Sequence, residues 1–445
     1  MQMNSAVEKT PAEAAYLVAF DGDGLPSGPA WLDNQRSAAR AAFVASGLPH
    51  RRIEEWKYTD LRNQLAAGYP PLGEAPLADV ARFQEMIAAS PFAGLDTARA
   101  VFADGVFRPE LSNLALGDDV DILSLAECLD EAPDWVTSNL GQVMSRPDNA
   151  IAALNMAFAR HGAAVRVRGR QEKPLELIFL HTASGHHTVT NRNLIVVEEG
   201  AHAHILESHL GASGQEYLAN IVTEISVGKS AVLDHVKVQM EADGAVHLSD
   251  VNIWLGENAN ANSFVASTGA SVSRNQVFAE FGGEHTNLNL SGACMLAGSQ
   301  HCDTTLEVDH AVPHCTSREL FKLVLDDTSR GIFQGKVSVR PNAQKTDGKQ
   351  MAQALLLAET AEFDAKPELE IFADDVVCGH GATAGDLDEE HLYYLRARGI
   401  PKREAMALLI AAFIGEAFDE VTSDDVREAL AGFAGAWLDQ HTERG

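Results

Sequence analysis

The sequence predicts a mainly β protein in which a solenoid of stacked coils, a β-helix, lies between helical regions. Three observations carry this expectation. Between about residues 163 and 377, short runs rich in Val, Ile, Leu and Thr alternate apolar and polar side chains, as in Ala164-Val-Arg-Val-Arg, Leu175-Glu-Leu-Ile-Phe-Leu and Asn193-Leu-Ile-Val-Val-Glu; such period-2 alternation marks half-buried strands. Glycines at 200, 228, 256 and 283, each followed by an alternating run, step through the region by 28, 28 and 27 residues, a period typical of stacked repeats. Asn260 and Asn262 recur as Asn287 and Asn289, which suits coils piled on one another better than a β-sandwich.

The flanking regions read as helical. Trp31, Ala38, Ala42 and Phe43 recur at helical spacing, and Val80, Phe83, Met86 and Ile87 share one face of a second pattern over Pro76–Ser90. The polar, turn-forming stretch Asp21–Pro29 separates them. Between about 100 and 160 the signals are mixed, with a short strand near Ala100–Phe102 and a helix near Ile151–Arg160. A further helical pattern is expected at Lys349–Leu357. After the β region, Asp388 is a good N-cap, Gly399 a natural stop and Pro401 an opener. Ala405, Leu408, Leu409, Ala412 and Phe413 then form an apolar stripe. Val426, Leu430, Phe433 and Trp437 form another after a capping signature at Thr422–Asp425. The resulting division is 1–162 mainly helical, 163–385 β-helix and 386–445 helical. A length of 445 residues is itself too great for one compact core.

Charge and composition exclude several classes. A formal net charge of -29 repels phosphate backbones and anionic lipid, so neither nucleic acid nor membrane is an expected partner. Five cysteines, an odd number without a C-x-x-C, fit a reducing compartment. Met1–Phe20 lacks the apolar core of a signal peptide, and the run Ala407–Ile414 is too short to span a bilayer. A cytoplasmic protein is expected.

Enzyme motifs come close and fail. Gly331-Ile-Phe-Gln-Gly-Lys-Val has three residues between its glycines where a P-loop has four, and Val337 where Ser or Thr should hold Mg²⁺. Gly379-His-Gly-Ala-Thr-Ala matches G-x-G-x-x-A, read as a turn between a strand ending at Val377 and a helix, but no second strand follows as a dinucleotide site requires. There is no G-x-S-x-G. An independent enzyme, either dinucleotide-dependent or a β-helix enzyme acting on polysaccharide, is the alternative class.

Histidines and cysteines cluster twice. His301, Cys302, His310, His314 and Cys315 fall within fifteen residues but match no zinc spacing, so burial is the favoured reading. Cys378 and His380 are two apart. In a strand they would share a face about 7 Å apart, within reach of one metal or metal cluster; a buried, inert cysteine is the other reading.

These residues also carry a resemblance. Asp309-His-Ala-Val-Pro-His, Phe333-Gln-Gly-Lys, Ala343-Gln-Lys-Thr-Asp-Gly, Lys366-Pro-Glu-Leu-Glu-Ile-Phe-Ala-Asp-Asp-Val, Cys378-Gly-His-Gly-Ala-Thr and Leu392-Tyr-Tyr-Leu-Arg-Ala-Arg-Gly-Ile, with Glu54-Glu-Trp-Lys-Tyr-Thr near the start, resemble the SufB/SufD family of iron–sulfur cluster assembly proteins. The chain looks like the SufD type: SufB carries glutamate where His380 stands, and a cysteine in a segment that here, between Cys315 and Cys378, has none. The resemblance implies a right-handed parallel β-helix and a non-catalytic scaffold. It also implies two partners, a SufB paralogue at the β-helix end and the ATPase SufC on the C-terminal helices. Cys378 and His380 would face SufB. A lone Cys and His are too few ligands for a stable cluster, so none should be tightly bound by the isolated chain, and a transient one would be shared across that interface. Whether the isolated chain forms a homodimer is left open.

Overall fold

The computed structural model describes residues 9–22, 28–74, 79–129, 131–144 and 148–441. The turn expected over Asp21–Pro29 and the start of the pattern at Pro76 lie partly outside them.

Near the N-terminus come helices α1 (Pro11–Asp21), α2 (Ala30–Ser46), α3 (Leu61–Gln64) and α4 (Val80–Ala88). Strands β1 (Ala98–Ala103), β2 (Val106–Phe107) and β3 (Val120–Ser124) follow, then α5 (Asp134–Asn139) and α6 (Ala150–Ala157). Thr10 caps α1 through a reciprocal capping box with Glu13. Both expected N-terminal helices form, although Ala38 and Val80 face solvent while Leu32 and Phe83 are buried.

The chain then winds into coils, each giving one strand to each of two sheets. One sheet holds β4 (Ala163–Val167), β6 (Thr188–Val197), β8 (Leu218–Val227), β10 (Val246–Leu255), β12 (Val272–Phe281), β14 (His301–His310), β16 (Arg330–Val339) and β18 (Glu362–Ile371). The other holds β5 (Leu175–His181), β7 (His202–Gly211), β9 (Val232–Met240), β11 (Asn260–Ser267), β13 (Asn287–Leu296), β15 (Thr316–Leu325), β17 (Asp347–Leu356) and β19 (Val377–Gly385). Successive strands of each sheet pair in parallel, as at Leu218↔Val246 and Asn260↔Asn287. The molecule is a parallel β-solenoid with helices at both ends of the chain. At the N-terminal end the parallel stacking stops, because β2 and β3 pair antiparallel with β1 and β4. At the other end β18 and β19 are the outermost strands of their sheets.

Inward residues such as Phe179, Ile205, Leu233, Ile253, Phe281 and Leu325 fill the space between the sheets. Helices α8 (Lys402–Phe418) and α9 (Asp424–His441), reached through α7 (Glu389–Ala397), cover the outside of the second sheet. There Ile410, Ile414 and Phe418 pack on Phe264, Met295 and Val324. The buried face of α8 is therefore displaced from the expected stripe: Leu408 is 53% exposed, and Leu409 and Phe413 are half-buried.

The Asn ladder is real: the amide Nδ2 of Asn287 donates to Asn260 Oδ1 at 2.9 Å, and that of Asn289 to Asn262 Oδ1 at 3.0 Å. The glycine frame needs one correction. The register His202↔Val232 makes Gly200 equivalent to Ser230, not Gly228, a step of 30 residues. The repeated feature there is a left-handed turn residue, seen at Gly200, Ser230, Asn258, His285, His314 and Lys345. Gly228, Gly256 and Gly283 recur for another reason: coils touch backbone to backbone, and a Cβ on Gly283 would lie 2.1 Å from the Glu257 nitrogen.

Two further expectations fail. Lys349–Leu357 falls largely within strand β17, because pairing with β15 on one side and β19 on the other overrides the helix preference of its Ala, Leu and Gln residues. Gly379–Ala384 is no strand-to-helix turn but the middle of β19.

The N-terminal Glu54–Thr59 segment clasps the outside of the first sheet. The Arg274 guanidinium stacks 3.9 Å from the Trp56 ring centre and donates to the Glu55 carbonyl at 2.7 Å. Arg274 also pairs with Asp303, which accepts from Thr59, and Lys366 pairs with Glu54 at 2.8 Å.

Candidate functional site

Cys378 and His380 lie on β19, the outermost strand of its sheet. Alternation turns both toward the solenoid interior. The register then stacks them over older coils, Cys378 on Gly348 and Ser317, and His380 on Gln350 and Glu319. Gly348 lies directly beneath the thiol: a Cβ built there would sit in van der Waals contact with Cys378 Sγ, at 3.6 Å.

The two columns open into a groove of about 660 Å³, also lined by Arg318, Lys349, Met351 and Glu420. Glu319 and Gln350 are each 2% exposed. Among the described residues, neither oxygen of Glu319 and neither amide atom of Gln350 has a hydrogen-bond partner of good geometry. Burial pushes the Glu319 carboxyl up to about 8, so it is held largely as the neutral acid at neutral pH. Burial also raises the half-buried Cys378 thiol. The set thus offers one soft sulfur donor, one imidazole and a buried carboxyl with spare bonding capacity. Soft thiolate with imidazole suits iron and iron–sulfur groups.

The structure thus brings Cys378 and His380 to one face. It does not gather the 301–315 group. Cys302 points inward, and burial with Cys294 beside it marks an interior packing position. His310 stacks on Phe281 and bonds Ser317 Oγ at 3.0 Å; His301 faces Thr59 at 2.9 Å; His314 stacks on His285. Sequence reasoning missed Glu319 and Gln350. The available clue was the coil register, which sets Gln350 one coil and Glu319 two coils before His380.

Among the described residues no further strand pairs with the outer edge of β19, and β18 and β19 are mostly exposed or half-buried. Phe372, just after β18, is 66% exposed, and Val377, the first residue of β19, is 62% exposed. The fold and this end of it define a parallel β-solenoid whose last coil carries an open strand edge, exposed apolar residues and an inward thiol and imidazole, the kind of edge to which a further strand can add.

Comparison with known proteins agrees. The model of the SUF system FeS cluster assembly SufBD core domain matches residues 179–413, and that of the SufBD protein N-terminal region matches residues 27–175. The chain belongs to the SufBD family of iron–sulfur cluster assembly proteins and is SufD-like. It is 28% identical over 424 residues to the iron–sulfur cluster assembly protein SufD of Escherichia coli, covering 94% of this chain and 95% of that protein. A SufBD family protein of Synechocystis is 32% identical over 404 residues, 88% of this chain and 87% of its own. The SufD protein of Bacillus subtilis is 26% identical over 289 residues, 64% and 65% of the two chains. No helix among the described residues is long and apolar enough to cross a membrane.

Proposed function

We propose that the chain is a non-catalytic, cytoplasmic SufD-type scaffold that pairs with a SufB paralogue through β18 and β19 and docks the ATPase SufC on its C-terminal helices. A nascent iron–sulfur cluster, the cargo of the system, is shared with SufB at Cys378 and His380. It is not held tightly by this chain alone. The observation that carries the reading is the open outer edge of strand β19, with its inward thiol and imidazole. These supply two of the roughly four ligands that a stable cluster takes, so a partner supplies the rest. When SufB is absent, the same edge is available to a second copy.

Support for the ATPase dock comes from α7 and α8. Tyr393 is 76%, Tyr394 55% and Leu408 53% exposed, large apolar side chains that packing on the sheet leaves outside. The dinucleotide alternative loses its local context, because Gly379–Ala384 is strand, and no observation favours the polysaccharide one. The test is co-expression with a SufB and a SufC. A stable ternary complex is the expected result; recovery of this chain alone, with neither partner, refutes the reading.

A further inference from the structure

A second group of ligand-type side chains lies on the outside of the solenoid, far from the open end. In β7, Ala203 and Ile205 point into the core, so His202 and His204 point out. In the adjoining β9, Asp234 stands directly opposite His204. Its Oδ2 lies 3.0 Å from His202 Nε2 and 3.3 Å from His204 Nδ1. One ligand atom from each of the three lies within 4.8 Å of the others.

The carboxylate is pinned from the next coils. Asn289 donates to Asn262, and Asn262 Nδ2 donates to Asp234 Oδ1, each at 3.0 Å. That Asn chain occupies one oxygen and leaves the other to the two rings. The His204 backbone is fixed as well, its N–H donating to Gln171 Oε1 at 2.9 Å. His204 and Asp234 form part of the floor of a groove of about 800 Å³, with Asp96, Glu172 and Asp425 among its walls.

We propose that His202, His204 and Asp234 bind a first-row divalent transition-metal ion, with open coordination positions facing the groove. Zinc ligands sit about 2.0–2.2 Å from the metal, which puts neighbouring donors roughly 3.0–3.5 Å apart. The two His–Asp separations already have that spacing. Two imidazoles with one carboxylate suit zinc or ferrous iron, whereas magnesium and calcium prefer all-oxygen sites. Asn262 is the positioning residue: it touches the carboxylate, not the ion. The site is separate from Cys378 and His380. Five strand spacings of about 4.8 Å, roughly 24 Å, divide β9 from β19, and the two sets face opposite sides of the sheet. It does not rest on the assembly role.

The plain alternative is that both rings merely donate N–H to one carboxylate oxygen, with no affinity for a cation. To separate the two, the full chain in a Cys378→Ser/His380→Ala background is stripped with chelator and titrated with Co²⁺ alone, reading its visible absorption, then with Zn²⁺ in competition. The expected result is one saturable site per chain, weakened at least tenfold by His204→Ala or Asp234→Asn. Asn262→Ala should weaken it by about tenfold or more while keeping all three ligands. Should the alanine variant fail to fold, the near-isosteric Asp234→Asn carries the same readout. Absence of a saturable site, or equal affinity and spectrum with and without His204 and Asp234, overturns the proposal.

Discussion

Glu319 and His380 occupy one inward column, two coils apart, with Gln350 between them. The carboxyl is thereby buried two coils beneath the imidazole, and neither of its oxygens finds a hydrogen-bond partner among the described residues. Its folded value near 8 stands far above the unfolded value of about 4.3. The folded chain therefore binds the extra proton, and the associated stability is present below about pH 4.3 and lost as pH rises through about 8. Glu319→Gln should abolish this loss. Relative to wild type, the variant should gain about 1.4 kcal/mol per pH unit across much of that window, read as urea midpoints between about pH 5 and pH 8. Parallel pH curves for the two proteins would show that Glu319 is not held as the acid.

Histidines in the interior act with the opposite sign. His181, His209 and His310 are buried and held down to about 4 by desolvation. Their stabilising contribution is full above the unfolded value near 6.5 and falls away as pH drops toward 4. Three such groups outweigh the single Glu319, so unfolding in urea should become markedly easier from about pH 6.5 to pH 5. Proton uptake on unfolding, measured by calorimetry in buffers of different ionisation enthalpy, should rise through that range and exceed one per chain near pH 5.

The clasp of Arg274 on Asp303 is nearly dry, with side chains 1% and 0% exposed. Removing one partner leaves a buried, uncompensated charge. Asp303→Ala should cost about 3–5 kcal/mol, measured by urea unfolding, and should release Glu54–Thr59 to protease. A loss under about 1 kcal/mol would mean that water replaces the clasp without penalty.

Cluster assembly should depend on the open-end ligands without depending on them for folding. In a reconstituted complex with SufB and SufC, Cys378→Ser and His380→Ala should each slow appearance of the cluster's visible absorption. His380 is exposed, so its alanine variant should keep stability within about 0.5 kcal/mol. Wild-type assembly rates in both variants, or unfolding of both, would remove these residues from the site.

The ATPase dock can be probed without disturbing the core. Leu408→Asp and Tyr394→Ser change exposed side chains and leave Ile410 and Ile414 against the sheet. SufC binding, followed by isothermal titration, should weaken about tenfold or more, as expected when central apolar contacts are lost. Unchanged affinity in the double variant would place the dock elsewhere.

The sequence made the coil period, the Asn ladder and the flanking helices readable, because each leaves a local pattern. Cys378 and His380 were readable because i and i+2 share a strand face. Glu319 and Gln350 were not, since their link to His380 runs across coils whose length varies. Val246 pairs with Val272 at a step of 26, whereas Arg330 pairs with Glu362 at a step of 32. Turn lengths must be known before such a column can be aligned. Lys349–Leu357 misled for the converse reason: its local preference is helical, and only the flanking strands decide otherwise. The phase of α8 was set by where the sheet presents Phe264 and Val324, which its own stripe does not encode. The Glu54–Thr59 motif was visible, but its role as a clasp across four strands was not.

The two ends of the solenoid are unlike. Antiparallel β2 and β3 close one, and β18 and β19 leave the other unfinished. A stack with two receptive ends would add units head to tail and grow into a fibre. A stack with one can join a single neighbour end to end, after which neither has an edge left to offer. Under the proposed pairing, the break in parallel stacking at the N-terminal end would limit an end-to-end assembly to two solenoids and would keep a chain with an exposed, apolar edge from polymerising.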